Sequence, residues 1–177
     1  MLVLLIISFF ILSIGFIIVT FKQKSIPESI SSIVYYLSPN MKWLWIVWVW
    51  IIAFSVGIPL IDTLSDNYKI FGFLTMFSLV FCGSMPITKN EKNTMHYIFA
   101  ILSGIFSQIC VYILDNNLLY VWLSLFPCFI FTIFYTYIKL KDTDILIVLD
   151  KVYMIVIEAI CALTLYVSIY KNLKYLV

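Results

Sequence analysis

The sequence has no arginine and little charge of either sign. Its 177 residues include eleven lysines, nine acidic residues and one histidine, so only 11% of the chain is charged, whereas 64% is hydrophobic. Soluble domains carry roughly 25% charged residues and about 45–50% apolar ones. A small soluble globule would have to expose this excess of apolar surface to water. The composition therefore favours a chain that lies in lipid.

The residue patterns of several catalytic and binding classes are also missing. The five glycines lie far apart, which excludes a glycine-rich phosphate loop, and no basic run indicates nucleic-acid binding. No cysteine pair has CxxC or zinc-knuckle spacing, and one histidine cannot make a three-histidine zinc site. All four cysteines fall within apolar runs, where thiols behave as small apolar side chains. We therefore expect no metal, no cofactor and no nucleic-acid partner, and the balance is against an enzyme.

Six apolar segments predict an all-α membrane protein that forms a single polytopic domain over residues 1–177. One membrane-spanning helix needs about 20 apolar residues, and a lone span satisfies its backbone hydrogen bonds internally only as a helix. The segments lack the polar–apolar alternation of barrel strands. Because most connections are short, consecutive helices are expected to be antiparallel neighbours. The predicted spans are residues 1–21, 43–61, 70–87, 95–114, 118–138 and 145–170.

The connection between the first two spans predicts a short amphipathic helix over residues 26–37. Ser25, Pro27 and Glu28 have the arrangement of an S-x-x-E capping box with proline in the first helical turn. Apolar residues then recur at helical spacing, and a Ser-Pro-Asn triplet at residues 38–40 ends the pattern. This pattern is typical of a helix that lies in the membrane interface with its apolar face towards the lipid.

The lysines predict an orientation, because cytoplasmic loops carry an excess of Lys and Arg. With six spans, seven lysines fall in the first, third and fifth connections, and three fall on the opposite side. We therefore predict a bacterial-type inner-membrane protein with both termini outside and the amphipathic helix on the cytoplasmic face. The lipid bilayer is the expected partner, together with a second copy of the chain or another membrane protein.

Charged groups within the last apolar segment form the first candidate site. Glu158 lies near the middle of this segment, where an ionised side chain costs about 2.5–3.5 kcal/mol or more. Lys151 is roughly 10 Å away along a helix axis, which is too far for a direct ion pair within one helix. A span that starts after Lys151 would place Asp150 and Lys151 at the interface and still leave Glu158 about 10 Å inside. Glu158 is therefore either a functional carboxylate or a neutral packing group.

Two further sets of polar residues are candidates. Gln108 lies beside a small-residue face of the fourth span, and it joins Glu158, Lys151 and Asp150 as a candidate intramembrane polar site, although helix packing is its expected role. His96 begins the same span at the level of the amphipathic helix, which predicts a polar cluster at the cytoplasmic face. The members of that predicted cluster are His96, Glu28, Ser29, Ser31 and Tyr35.

Three short stretches together resemble a known set of proteins. They are residues 27–36 followed by a tryptophan-rich span, residues 81–86 leading to His96-Tyr97, and the pair Ser107-Gln108. These stretches are similar to those of small uncharacterised multi-pass membrane proteins of Bacteroidales bacteria and their phages. The resemblance covers most of the chain, implies a bacterial or phage origin and carries no function. It also implies that the Ser/Tyr-containing helix and His96 belong together.

Three function classes follow from these features. Glu158 favours transport of an ion or small solute, for which a chain of this size would need to oligomerise. The amphipathic helix and the packing face equally favour a non-catalytic factor that binds lipid or a membrane-protein partner, such as a phage-encoded envelope modifier. An intramembrane lipid-acting enzyme would use His96, Glu28 and the hydroxyls of residues 29–36, but no nucleophile elbow, zinc site or carboxylate pair supports it. We therefore expect a non-enzymatic membrane protein, with transport as the leading specific hypothesis.

Overall fold

A computed structural model of the chain describes residues 1–23, 29–85, 94–118, 120–122 and 143–175. All regular structure in these ranges is helical, which confirms the predicted all-α class for them. The helices whose bounds the structure gives are α1 (Leu2–Gln23), α2 (Lys42–Thr63), α3 (Lys69–Ser84), α4 (Thr94–Leu114) and α5 (Thr143–Tyr175). Short 3-10 helices cover Ser31–Tyr36, Pro39–Met41, Asp66–Tyr68 and Asn116–Leu118.

Four of these helices are long and apolar enough to cross a membrane. The first three candidate spans nearly coincide with predicted spans, whereas the fourth covers only the later part of the predicted 145–170. Large apolar side chains project from the surface of these helices, and Phe21 is 80% exposed and Ile101 62% exposed. Such a surface is compatible with lipid as the surrounding solvent. The candidate spans are Leu2–Phe21, Lys42–Thr63, Thr94–Leu114 and Ile155–Leu173.

The third and fifth predicted spans do not correspond to any of these four candidate spans. Helix α3 has 16 residues, which gives a length of about 24 Å, less than the roughly 30 Å thickness of a bilayer core. The rest of the predicted span 70–87 reaches residues that lie outside the described ranges. The predicted span 118–138 also lies outside them, apart from residue 118 and the helical residues 120–122. The count of six spans therefore stays a prediction.

The segment between α1 and α2 packs into the protein. Its 3-10 helix occupies only the second half of the predicted helix 26–37, and the predicted capping box at Ser25 and Glu28 lies outside the described residues. Ile33 and Val34 are 5% and 1% exposed, so these apolar side chains contact protein. Their cluster consists of Val19, Ile33, Val34 and Trp45.

The helices form one bundle around an apolar core. Helices α1 to α4 follow one another as neighbours, and α5 packs against α1, α2 and α4. Leu60, Cys110 and Ile169 lie in the core with no exposed surface. The core joins the start of α1 to the final turns of α2, α4 and α5, so α4 and α5 run in the same direction. We name this side of the bundle the Asp115 end, and the opposite side, where the α1–α2 segment packs, the Ile30 end.

Close contact between α1 and α2 fixes the Ile30 end. The indole Nε1 of Trp48 donates a hydrogen bond to the backbone carbonyl of Ile11 at 3.2 Å. Gly15 makes room for this ring, because a Cβ at that position would lie 2.8 Å from Cζ2 of Trp48. The segment that follows α1 is therefore held against a rigid pair of helices.

Candidate functional site

Glu158 of α5 binds the segment between α1 and α2. Its Oε2 accepts a hydrogen bond from the backbone N–H of Ile30 at 2.5 Å, although the two residues are 128 positions apart in the chain. Ile30 directly precedes the 3-10 helix and has helical backbone angles, with φ −59° and ψ −40°. The first N–H groups of a helical segment have no partner within it, so the N–H of Ile30 is available to the carboxylate.

The second carboxylate oxygen of Glu158, Oε1, can accept hydrogen bonds but has no donor among the described residues. A carboxylate offers about four acceptor positions on its two oxygens. Within the described ranges, the bond from Ile30 is the only hydrogen bond to Glu158, and no basic side chain forms an ion pair with it. Glu158 is partly buried, and among the described residues no group donates to Oε1.

Serine side chains hold Ile30 in position. The N–H of Ser29 donates to Oγ of Ser32 at 3.2 Å, and the N–H of Ser32 donates to Oγ of Ser29 at 3.1 Å. This reciprocal pattern is that of a capping box. The Ser32 hydroxyl also donates to the carbonyl of Ser29 at 2.7 Å, and the hydroxyls of Ser29 and Ser31 are 2.9 Å apart. These hydroxyls are therefore engaged in building the turn.

An apolar groove of about 260 Å³ runs between α1 and α5. Phe9 and Tyr166 line one part of it, and their rings contact each other edge to face at 5.5 Å. Phe16 and Ile30, which both pack against the cluster at the Ile30 end, line the other part. Two small residues of α5, Ala159 and Ala162, also line the groove and leave space between the two helices. The groove therefore reaches the backbone segment that binds Glu158.

His96 belongs to the first turn of α4, where its side chain packs against the last turn of α3 and is 1% exposed. Its Nδ1 is 2.9 Å from the backbone carbonyl of Cys82, and since a carbonyl only accepts, Nδ1 carries the proton and donates it. The Cys82 thiol is 3.7 Å from both ring nitrogens. The sequence pattern assigned Cys82 a purely apolar role, and nothing in its spacing to His96 indicates this contact.

The predicted cytoplasmic-face cluster stays a prediction. The hydroxyls of Ser29 and Ser31 are 2.9 Å apart within one turn, and the hydrogen bond described above attaches His96 to α3. Glu28 lies outside the described residues, as does the side chain of Tyr35. What the prediction missed is that the segment after Ser29 meets Glu158, which it had placed in a different site.

Gln108 joins α4 to α5. Its Oε1 accepts hydrogen bonds from the indole of Trp122 at 2.8 Å and from the hydroxyl of Thr164 at 3.3 Å. Its Nε2 donates to the carbonyl of Cys161 and to the hydroxyl of Ser107, both at 3.4 Å. Since both ends of the amide have partners, the structure favours packing as the role of Gln108.

The remaining members of the predicted intramembrane site are Asp150 and Lys151. Their backbone belongs to α5, but their side chains lie outside the described part of the structure. A polar contact that the sequence did not indicate lies further along α5, where the hydroxyl of Tyr166 donates to Oγ of Ser8 at 2.8 Å. Each helix contains several other polar residues, so neither Ser8 nor Tyr166 stands out in the sequence, and helical periodicity does not show which helices face each other.

The described residues contain no group of three or more His, Cys, Asp or Glu side chains placed to share a metal ion. A scan against protein-family models, a search of curated proteins and a search of solved structures all find no match to this chain. The resemblance to small multi-pass membrane proteins of Bacteroidales and their phages therefore stays a prediction. The site itself has to carry the functional argument.

Proposed function

We propose that the protein is an integral inner-membrane protein that transports an ion or a small cationic solute, which it binds at Glu158. The proposal rests on one observation. Glu158 lies in a candidate span, and the only described donor to its carboxylate is the backbone N–H of Ile30. A charge in a span costs about 2.5–3.5 kcal/mol or more. One hydrogen bond to a charged group returns only about 1.5–3 kcal/mol. A cation or proton on Oε1 would supply the remaining compensation.

A second copy of the chain is part of the proposal. The interior shared by α1, α2, α4 and α5 is filled by fully buried side chains such as Leu60 and Ile169. A pathway therefore has to run along the edge of this core, where Glu158 lies, with a second copy closing the other side. In the predicted orientation, with both termini outside, the Ile30 end faces the cytoplasm.

Water access to position 158 tests the proposal. The single-cysteine variants Glu158→Cys and Ile157→Cys would be made in a background with all four native cysteines replaced. Labelling of each new cysteine by a membrane-impermeant thiol reagent would be measured from each side of the membrane. Ile157 is the matched control, because it is adjacent on α5 and 39% exposed on the surface of the bundle. We expect labelling at position 158 and protection at position 157. Equal protection of the two positions would contradict a transport site at Glu158.

Flux through the intact protein gives a second test. Proton uptake into liposomes, followed with a pH-sensitive dye, would be compared between the wild type, Glu158→Gln and Asp115→Asn. The two variants make the same chemical change, but Asp115 lies after the end of α4 and is paired with Lys171. We expect Glu158→Gln to lower the flux by about tenfold or more, which corresponds to at least 1.4 kcal/mol. Equal flux in the wild type and Glu158→Gln would contradict the proposal.

Binding of lipid or a membrane-protein partner without transport is the second candidate function. The apolar groove between α1 and α5 favours it, since such a groove fits an apolar chain. In this case Glu158→Gln would leave function intact, whereas filling the groove would abolish it. The enzymatic alternative gains nothing from the structure, because the hydroxyls of Ser29 and Ser31 are engaged within their own turn.

A further inference from the structure

We propose that Glu158 and the α1–α5 groove form one binding site for a lipophilic ammonium ion, with the cationic head on the carboxylate and the apolar tail in the groove. This inference rests on the proposed function, because it names the chemical class of the solute that binds the same carboxylate. The ligand would reach the site from the bilayer, since the groove lies on the surface of the bundle between two candidate spans.

Ile30 connects the two parts of this site. Its backbone N–H binds Oε2 of Glu158, and its side chain lines the groove. On α5, the lining residues Ile155 and Ala162 lie three positions before and four positions after Glu158. Residues at these spacings share one face of a helix. Glu158 does not itself line the groove, but it lies at the edge of the α5 face that does, next to Ile30, which lines the groove and donates to its carboxylate.

The dimensions of the groove favour an elongated tail. Along α1 its lining extends from Phe9 to Ile17, a rise of about 12 Å. The lining is almost entirely apolar, and the small side chains of Ala159 and Ala162 leave the volume of about 260 Å³ open. A strongly hydrated inorganic cation gains nothing from such a surface, whereas an alkyl chain matches its apolar character. Because a tail that arrives from the bilayer is already out of water, its gain comes from packing against the groove.

Charge complementarity selects the head group. Oε1 of Glu158, which has no donor among the described residues, is the acceptor next to the groove, and ammonium N–H groups form strong, charge-assisted hydrogen bonds with carboxylates. A neutral alcohol with the same tail would keep the apolar contacts and lose the charge pairing. An anion with the same tail would be repelled. The site is therefore expected to require both the tail and the positive charge.

Protection of Glu158 from an apolar carbodiimide tests the inference. Purified protein in nanodiscs of zwitterionic lipid would be treated with dicyclohexylcarbodiimide, and modification of Glu158 would be followed by peptide mass spectrometry. Dodecylammonium, dodecanol and methylammonium would each be added as competitor. We expect dodecylammonium, at about ten times its Kd, to slow the modification by about tenfold, while the other two have little effect. Asp115, followed in the same digest, should not be protected.

Each alternative result overturns the inference. Equal protection by methylammonium would mean that cations bind from water without the groove. Equal protection by dodecanol would mean that the groove takes an apolar chain without using the carboxylate. No protection by any competitor would mean that the site does not bind this class of ligand.

A groove-filling variant shows where the tail binds. Ala162→Leu adds side-chain volume within the groove, and Val156→Leu adds volume on the same helix at a residue that does not line it. We expect dodecylammonium protection to be lost in Ala162→Leu and kept in Val156→Leu. Protection that survives in Ala162→Leu would contradict the groove as the tail site.

Failure of this inference is distinguishable from failure of the proposed function. A proton flux that depends on Glu158, without dodecylammonium protection, would reject the groove ligand and leave transport in place. Protection without Glu158-dependent movement of either protons or dodecylammonium across the liposome membrane would reject transport and leave a binding site for lipophilic ammonium ions.

Discussion

The two carboxylates at opposite ends of the bundle have different partners. Asp115 uses both oxygens, since Oδ2 is 2.6 Å from Nζ of Lys171 and Oδ1 accepts the N–H of Asn117 at 3.2 Å. The hydrogen bond from Lys171 holds the pKa of the Asp115 carboxyl below its usual range. Among the described residues, Glu158 uses one oxygen, and the donor to it carries no charge. Within this part of the chain, the first carboxylate is compensated on both oxygens and the second on one.

This difference contrasts a fully paired carboxylate with one that has a single donor among the described residues. At the Asp115 end, side chains of α5 bind the end of α4 directly, and Nδ2 of Asn172 also donates to the carbonyl of Leu114 at 3.3 Å. These bonds are complete without any ligand. At the Ile30 end, the carboxylate holds a backbone segment, and among the described residues Oε1 has no donor. An ionisable group within a span is a reason to propose a function for it, which is the basis of the proposal above.

The largest expected effect comes from removing the donor to Glu158. Ile30→Pro deletes the N–H, while its φ of −59° already fits a proline ring. Ile30→Ala is the control for the lost side chain. We expect Ile30→Pro to lower the free energy of unfolding by about 1.5–3 kcal/mol more than Ile30→Ala, the range for a hydrogen bond to a charged group. Denaturant unfolding in detergent micelles would measure it.

A double-mutant cycle identifies the cause of this loss. When Glu158 is replaced by leucine, the extra cost of Ile30→Pro over Ile30→Ala should disappear, because the acceptor is gone. An extra cost that persists in the Glu158→Leu background would assign the effect to backbone strain in the turn. The contrast between the two carboxylates would then lose its main support.

The sequence predicted the helices well because each depends on local composition. The apolar runs before Phe21 and after Thr94 define α1 and α4 almost to the residue, since a span is recognised by its length and hydropathy. In the last segment, charges at Asp150 and Lys151 fall within one 33-residue helix, so composition does not show where a span begins. Local patterns therefore predict that helices exist better than they predict their limits.

The candidate site was predicted only in part, because it is made by contacts between distant residues. Glu158 was identified as a charge in lipid, but its partner is a backbone N–H, which every non-proline residue has and no sequence pattern marks. The sequence grouped Ser29 with His96 and not with Glu158, because no pattern shows that the turn at Ser29 presents a backbone N–H to Glu158. The groove depends on which faces of α1 and α5 meet, and helical periodicity does not determine the pairing of helices.

Packing at the Ile30 end gives the second prediction. At Gly83 of α3, a Cβ would lie 2.5 Å from Cγ1 and 2.6 Å from Cβ of Val49 on α2, so Gly83→Ala forces the two helices apart. At Gly104 of α4, a Cβ would have no neighbour within 4 Å in the described structure. We expect Gly83→Ala to lower the free energy of unfolding by about 1–3 kcal/mol. Gly104→Ala should raise it by up to about 1 kcal/mol.

Thermal unfolding of these two variants tests whether the Ile30 end is rigid or mobile. In a mobile region, the lack of a described donor to Oε1 of Glu158 would have no meaning. If Gly83→Ala were tolerated as well as Gly104→Ala, the Ile30 end would be mobile enough to rearrange around a new methyl group. Oε1 would then carry no information about a ligand. A clear loss in Gly83→Ala alone places Glu158 in a rigid setting.

The smallest expected change in the free energy of unfolding is that of Asp115→Asn. Its partner Lys171 is 49% exposed, and water weakens the ion pair between them. We expect a loss of about 1 kcal/mol or less at neutral pH. Since the pKa of Asp115 is lower in the folded protein, the pair stabilises the fold above the unfolded pKa of about 4. This contribution is lost as the pH falls through the folded pKa, so the wild type and the variant should converge in acid.

Asp66→Asn is the matched control, since Asp66 also pairs with a lysine, at 2.7 Å, but its side chain is 92% exposed. It should leave the unfolding curve unchanged at every pH. If Asp115→Asn behaved in the same way, the bond between the ends of α4 and α5 would contribute nothing. The Asp115 end would then be held by its apolar core and by the bond from Asn172 to Leu114, and the full pairing of Asp115 would no longer mark a structural site.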